Sequence, residues 1–175
     1  MTWEGLRAAL APYYLDIKFV HLIAAAAWIW STSVAYMYYL VPVFRAWRRN
    51  PDDEQIIALR DWVMDRFDGG ALYEHIAFPI VLLSGALLVF VAGWDIASTW
   101  LVLKLLIVVG LFVPIEVCDY HLSHFGGNKA RLRSQAIPGR VELAIHRHWW
   151  FLLLTTPLIT IFPFVVVYLA VTKPL

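Results

Sequence analysis

The side chains best suited to chemistry in this 175-residue chain are its six histidines, and one of them lies apart from the rest. His21 belongs to the apolar stretch 14–44, where Ala24, Ala25 and Trp28 follow on the same helical stripe. An imidazole there can bind a metal or carry a proton, and an ionisable group inside a membrane span is a functional candidate by default. It can equally hydrogen-bond a neighbouring helix, so both interpretations stay open.

The other five histidines are expected at the opposite end of the spans: His75, His121, His124, His146 and His148. His121 and His124 share a helical face, whereas His146 and His148 cannot, so at most one of that second pair points inward. Two imidazoles on facing helices are the axial ligands that b-type haem requires. Three or four, with a carboxylate, could hold a divalent metal instead. Histidines are also tolerated at a wet interface.

Two further ionisable residues fall inside predicted spans. Lys104 follows Trp100 by four residues, near the same end of the bundle as His21. A buried ammonium costs roughly 3 kcal/mol on insertion scales unless it is paired, reaches the interface or loses its proton. Lys104 is therefore either a partner of the His21 site or a lysine that extends to the membrane surface. Glu116 could relay protons or serve as a structural carboxyl.

The composition is that of an integral membrane protein. Hydrophobic residues make up 61% of the chain and charged residues 15%, with a mean hydropathy of +0.68, whereas soluble domains are about 25% charged. A single cysteine, Cys118, excludes an internal disulfide, a thiolate metal cluster and covalent haem attachment. The net charge of +1 and the lack of a basic tract argue against a nucleic-acid partner.

We therefore predict one all-α membrane domain, residues 1–175, built as a four-transmembrane-helix bundle in contact with lipid. A crossing takes about 20 residues, and the predicted spans are 14–42, 72–92, 98–120 and 146–171.

The first long loop is predicted to contain an amphipathic helix over residues 51–68. Pro51 would begin it, an apolar stripe would follow its length, and Gly69-Gly70 would end it. Such a helix would lie on the membrane surface or on a partner protein. The predicted stripe consists of Ile56, Leu59, Val63 and Phe67.

Charge predicts the orientation of the bundle. Ten Lys and Arg residues fall on the side of the two long loops, and three fall on the side of the termini. Because positive charge accumulates on the cytoplasmic side, we expect both termini to be periplasmic and both long loops cytoplasmic in a bacterial inner membrane.

Short motifs in all four spans resemble one family. HLIAAAAW at 21–28, FPIVLLSGALL at 78–88, WLVLKLLIV at 100–108 and the terminal FPFVVVYLAVTKPL are similar to segments of the HemJ-type protoporphyrinogen oxidases. These belong to a wider group of small membrane proteins that includes the CopD-like domains. The chain departs from the family in one respect: the arginine expected soon after the first-span tryptophan, in an LPR-like turn, is replaced by YYLVPVFR, so Arg45 comes much later.

The resemblance implies a haem-dependent oxidoreductase. The implied reaction is the six-electron oxidation of protoporphyrinogen IX to protoporphyrin IX, with electrons passing through b-type haem to a quinone or a partner oxidase. His21 and Lys104 correspond to the family's functional histidine and lysine. His21 would be an axial ligand or a base, and Lys104 and Lys18 would be the cations that hold carboxylates of haem or substrate. Arg45 is a further cation expected to bind the cofactor.

The remaining histidines leave the haem count open at one or two. His75, His121, His124 and His148 are further candidates to bind haem, and His75 and His121 are candidates, with His21, to ligate its iron. Two haems at different depths would make the chain a cytochrome b-like electron-transfer or anchoring subunit of a larger membrane complex. A cofactor-free structural subunit is the third alternative.

Overall fold

The computed structural model describes residues 2–135 and 138–174, except the side chains of Ser31, Thr32 and Pro138. Within these ranges the chain consists of helices and short turns, with no strand. The α-helices are α1 (Trp3–Leu10), α2 (Tyr14–Ala35), α3 (Val41–Arg49), α4 (Glu54–Ala92), α5 (Thr99–Ile107), α6 (Val113–His124), α7 (Lys129–Ser134) and α8 (Pro138–Thr172).

Four helical stretches are long and apolar enough to cross a membrane, as the sequence predicts: Trp3–Arg49, Glu54–Ala92, Thr99–Ser134 and Gly139–Thr172. We call the end that carries α1, the turn at 93–98 and the end of α8 the terminal end of the bundle. The opposite end, which carries α3, α7 and the beginnings of α4 and α8, is the charged end. At the terminal end the guanidinium of Arg7 donates to the carbonyl of Val91 over 3.1 Å.

Prolines inside apolar spans predict kinks, and at two of them the helix widens. The turns Tyr36–Leu40 and Val108–Phe112 have π-helical hydrogen bonding, and each immediately precedes a Val-Pro pair. Proline has no N–H to donate, and its ring collides with a carbonyl of the preceding turn. A wider turn relieves that collision, so α2 continues into α3, and α5 into α6, with little interruption.

The predicted end of a separate helix at Gly69-Gly70 is wrong. Helix α4 begins at Glu54, after the Asp53 carboxylate caps the amides of Gln55 and Ile56, and it runs through both glycines to Ala92. Each interior glycine costs about 1 kcal/mol relative to alanine. The side chains around the pair are buried in the bundle core, and this packing offsets that cost. The buried neighbours are Val63, Met64, Phe67 and Ala71.

The same continuity overturns the predicted surface helix over 51–68. Residues 54–68 are the first part of α4, and they pack against α3. Only part of the predicted stripe is buried, because the side chain of Leu59 is 48% exposed. The neighbouring Arg60, which is outside the stripe, is 1% exposed. Arg60 lies between the carboxylates of Asp61 and Glu142, each 2.7 Å from its Nη2 atom.

The second long loop is also shorter than predicted. In the predicted loop 121–145, Gly126-Gly127 and Pro138-Gly139 are sequence signals for breaks. The first is confirmed, because the chain turns there between α6 and α7. A Cβ atom on Gly127 would lie 2.4 Å from the carbonyl oxygen of Leu122, so this close approach requires glycine. Pro138-Gly139 begins α8 instead of breaking the chain, as proline in a first helical turn often does.

Candidate functional site

His21 is held against α4 by one of its ring nitrogens. Its Nδ1 atom lies 3.1 Å from the carbonyl oxygen of Val81 and 3.0 Å from the hydroxyl of Ser84. A carbonyl can only accept, and the Ser84 hydroxyl already donates to Ile80. Nδ1 must therefore carry the proton, which leaves the lone pair of a neutral ring on Nε2. This assignment follows from the hydrogen-bond pattern.

Gly85 provides the space for this ring. A Cβ atom there would lie 3.2 Å from Cε1 of His21, so the imidazole packs directly on the backbone of α4. The glycine that the sequence places in the SGALL run thus permits the close contact of α2 with α4. His21 and Ser84 therefore join two spans at the level of Gly85.

The structure brings one of the three predicted cations near His21. The half-buried Lys104 is within electrostatic range of the ring. Lys18 is exposed on α2, three residues before His21, and Arg45 is exposed at the charged end. Because Arg45 lies at the opposite end of the bundle, it cannot share a ligand with His21 unless that ligand spans most of the membrane.

The most extensive polar feature is a chain of buried side chains on the charged half of the bundle. The indole N–H of Trp28 donates to one carboxylate oxygen of Glu116. The other oxygen of Glu116 is 2.9 Å from Nδ1 of His75. On the far side of that ring, Nε2 is 3.5 Å from Oδ2 of Asp119. The side chains of His75, Glu116 and Asp119 are 5%, 8% and 9% exposed.

The chain continues to the charged end through His148, which is completely buried. Its Nε2 atom is 2.8 Å from Oδ1 of Asp119, and its Nδ1 atom contacts the ammonium of Lys129. Lys129, also completely buried, donates to Asp68 over 2.9 Å and to the carbonyl of Leu122 over 3.3 Å. We call Glu116, His75, Asp119, His148, Asp68 and Lys129 the polar network.

The other histidines lie outside this chain of contacts. His121 is exposed and stacks on Phe125, and His146 is exposed and accepts a hydrogen bond from the indole of Trp150. The prediction that His146 and His148 do not both point inward is therefore confirmed. His124 packs edge-on against His75, with ring centroids 5.2 Å apart, and its Nε2 atom is buried without a hydrogen-bond partner in the described residues.

The predicted haem and metal ligands are thus divided between two places. His21, on α2, contacts Val81 of α4, whereas His75, on α4 itself, contacts Glu116 of α6. The ring nitrogens of His75 and His148 face charged groups. Among the residues the structure describes, no three His, Cys, Asp or Glu side chains are arranged to hold a metal ion.

A groove with a volume of about 510 Å³ opens where the end of α2 meets α4. Its walls are aromatic, and Arg66 lies over the ring of Trp62 at 5.6 Å. The buried carboxyl-bearing residue Glu74 contributes to the same wall. The volume of the groove falls within the range usual for sites of small organic ligands. The lining residues include Tyr39, Trp62, Arg66, Tyr73 and Glu74.

Three residues of the polar network were not predicted to be site residues. Asp68 fell in the supposed surface helix, Asp119 at the edge of a predicted span, and Lys129 among the loop charges. A signal was present, since Asp119 follows Glu116 by three residues and His75 follows Asp68 by seven, spacings that place each pair on one helical face. Pairing across helices depends on the packing register, which the sequence pattern does not give.

Comparison with known proteins found no match: no family model fits the chain, and neither a curated protein nor a solved structure is similar to it.

Proposed function

We propose that the chain is an integral membrane oxidoreductase that binds one b-type haem through His21 and oxidises a porphyrinogen. The observation that carries the proposal is the orientation of the His21 ring. Its Nδ1–H is fixed by Val81 and Ser84, which leaves the Nε2 lone pair for a ligand. Histidines that ligate metals characteristically donate their other N–H to a carbonyl or carboxylate in this way.

The other histidines support a single haem. Coordination of iron by Nδ1 of His75 or by Nε2 of His148 would break a contact with the carboxylate of Glu116 or Asp119. The remaining nitrogen of His75, Nε2, faces Oδ2 of Asp119 at 3.5 Å, so iron could bind there only if that buried carboxylate moved away. His21 has no such competing contact at Nε2 in the described part of the chain. This difference favours the one-haem oxidoreductase over the two-haem electron carrier.

The chain's own residues suit an acidic, aromatic substrate. Lys104, near His21, supplies a cation that can hold a carboxylate of haem or of porphyrinogen. The groove beside α4 combines aromatic walls with Arg66 and is proposed as the entry site for porphyrinogen or for a quinone. Bound haem would supply one-electron transfer. Complete oxidation removes six electrons and six protons, which three quinones accept as three quinols.

A direct assay tests the activity. Purified protein in lipid nanodiscs, supplied anaerobically with protoporphyrinogen IX and a short-chain quinone, is expected to release fluorescent porphyrin and quinol in a ratio of one to three. Lys104→Met is expected to slow the reaction at least about tenfold, because losing a charge-assisted contact of about 1.5–3 kcal/mol weakens binding by that order. Lys173→Met, at the terminal end over the ring of Trp94, is the matched control. A wild-type protein loaded with haem but inactive in this assay would refute the proposed activity.

We also infer that the charged end faces the cytoplasm. Of the ten basic residues assigned to that side, Arg60 and Lys129 are buried in ion pairs, so eight remain against three at the terminal end. Eight basic residues against three still agree with the accumulation of positive charge on the cytoplasmic side of membrane proteins. A protease-sensitive tag after Leu175 should be cleaved from the periplasmic side of intact cells, and cleavage only after lysis would reverse the orientation.

A further inference from the structure

We propose that His75 and Asp119 form a proton-binding site inside the bundle, and that the polar network connects this site to the charged end. The observation is a buried nitrogen without a hydrogen bond. Among the described residues, Nε2 of His75 has no hydrogen-bond partner, although it lies 3.5 Å from Oδ2 of Asp119. The side chain that carries it is 5% exposed. The proposal does not rest on haem binding at His21.

The hydrogen bonds on either side define the state of this pair. Nδ1 of His75 faces an oxygen of Glu116 at 2.9 Å, so the proton of a neutral ring lies on Nδ1. Nε2 then presents a lone pair to the carboxylate of Asp119, and the two groups repel each other. One proton between Nε2 and Oδ2 would turn that repulsion into a charge-assisted hydrogen bond. The geometry therefore favours uptake of a proton at this position.

The charges of the network lead to the same conclusion. It contains three carboxylates, from Asp68, Glu116 and Asp119, and one ammonium, that of Lys129. Two uncompensated negative charges in a buried cluster are strongly unfavourable. The two imidazoles can each take up one proton, which brings the network to neutrality. We therefore expect it to hold up to two exchangeable protons.

The contacts also provide a route for these protons. Asp68, whose side chain is 11% exposed, is the network's most accessible carboxylate and contacts both Lys129 and His148. An imidazole can gain a proton at Nδ1 and release another from Nε2. His148 can thus pass a proton to Oδ1 of Asp119, and rotation of the protonated carboxyl group then presents that O–H to Nε2 of His75. Each proton transfer breaks one N–H or O–H bond and forms another, with no transfer of electrons.

The route ends in the apolar interior. His75 can release its Nδ1 proton to Glu116, which also accepts the indole N–H of Trp28. Trp28 packs between the rings of Phe78 and Phe112, each with its centroid 5.0 Å away. Glu116 is therefore the innermost proton acceptor of the network, at the boundary with the aromatic core.

Other groups on the surrounding helices also bear on the protonation of the pair. Besides the network itself, α6 contributes Tyr120 and His124, whose rings both pack edge-on against His75. Glu74, the neighbour of His75 on α4, lines the groove. Helix α2 contributes the indole of Trp28. A purely structural network with fixed charges is the competing explanation, and it predicts no proton exchange.

Infrared difference spectroscopy on the full-length protein in lipid films distinguishes these cases. Wild-type films would be cycled between about pH 5 and pH 8 in H₂O and in D₂O, and the carboxyl C=O and imidazole bands recorded. We expect a change in these bands with pH, with an isotope shift. Asp119→Asn and His75→Gln are each expected to abolish the same component. His146→Gln, an exposed histidine two residues from His148, is the matched control and should leave that component intact.

Two results would overturn the proposal. In the wild type, bands that do not change with pH would mean that the network holds fixed charges, and this result needs no variant to fold. In the variants, the loss of two different, additive components would mean that His75 and Asp119 titrate independently. Size-exclusion chromatography and circular dichroism identify variants that fold, and His148→Gln provides a further one, expected to alter the same component.

Discussion

Replacing His21 with alanine is expected to remove haem from the protein almost completely. The variant loses the only histidine whose Nε2 is proposed to face iron, while Val81 and Ser84 lose a shared hydrogen-bond donor. The proposed b-type haem would have no covalent attachment to the chain, so without His21 its iron would lose its bond to the protein. The measurement is haem per chain, from the oxidised-minus-reduced visible spectrum of protein purified in detergent.

The matched control is His146→Ala. His146 is exposed and contacts Trp150, so its loss should leave haem content unchanged. Retention of haem by the His21 variant, at the wild-type ratio, would show that the iron ligand lies elsewhere. Addition of imidazole to the His21 variant should restore part of the spectrum if the pocket itself is intact.

The largest loss of stability is expected from Lys129→Met. The ammonium is completely buried and balances Asp68, whose carboxylate would be left in the bundle without its cation. Removing one partner of a buried ion pair costs about 3–5 kcal/mol. We expect the free energy of unfolding, measured by circular dichroism in mixed detergent micelles, to fall by that amount.

Arg133→Met is the control for this prediction. Arg133 lies one turn later on α7 and pairs with Asp65, but its side chain is 32% exposed and that of Asp65 is 42% exposed. A pair of this kind contributes about 0.2–1 kcal/mol. Equal losses in the two variants would contradict the buried-pair explanation. The double variant Lys129→Met/Asp68→Asn should recover part of the lost stability, because it also removes the unpaired charge.

Hydropathy predicted the four spans, because a bilayer crossing requires a long apolar helix whatever its neighbours. The sequence prediction failed at Gly69-Gly70, where glycine's helix propensity argued for an end and the packing of Phe67 and Ala71 decided otherwise. A local signal for the end of a helix is overridden where the residues on both sides of it pack in the core.

The histidines of the candidate site were predicted from the sequence, whereas the carboxylates of Asp68 and Asp119 were not. His21, His75 and His148 stand out because imidazoles are uncommon in apolar stretches. Asp68 and Asp119 lie near the ends of apolar segments, where carboxylates are expected and attract no notice. Their roles depend on which turn of α4 meets which turn of α6 and α8, a register that only the folded chain specifies.

The central claim is that His21 binds one haem, whereas the histidines of the polar network bind protons. Haem per chain in the wild type and in His75→Gln, both shown to be folded by size-exclusion chromatography, tests it most directly. The account predicts one haem per chain in each protein. Two haems in the wild type, or loss of haem from His75→Gln, would contradict it and would assign the charged-end histidines to iron.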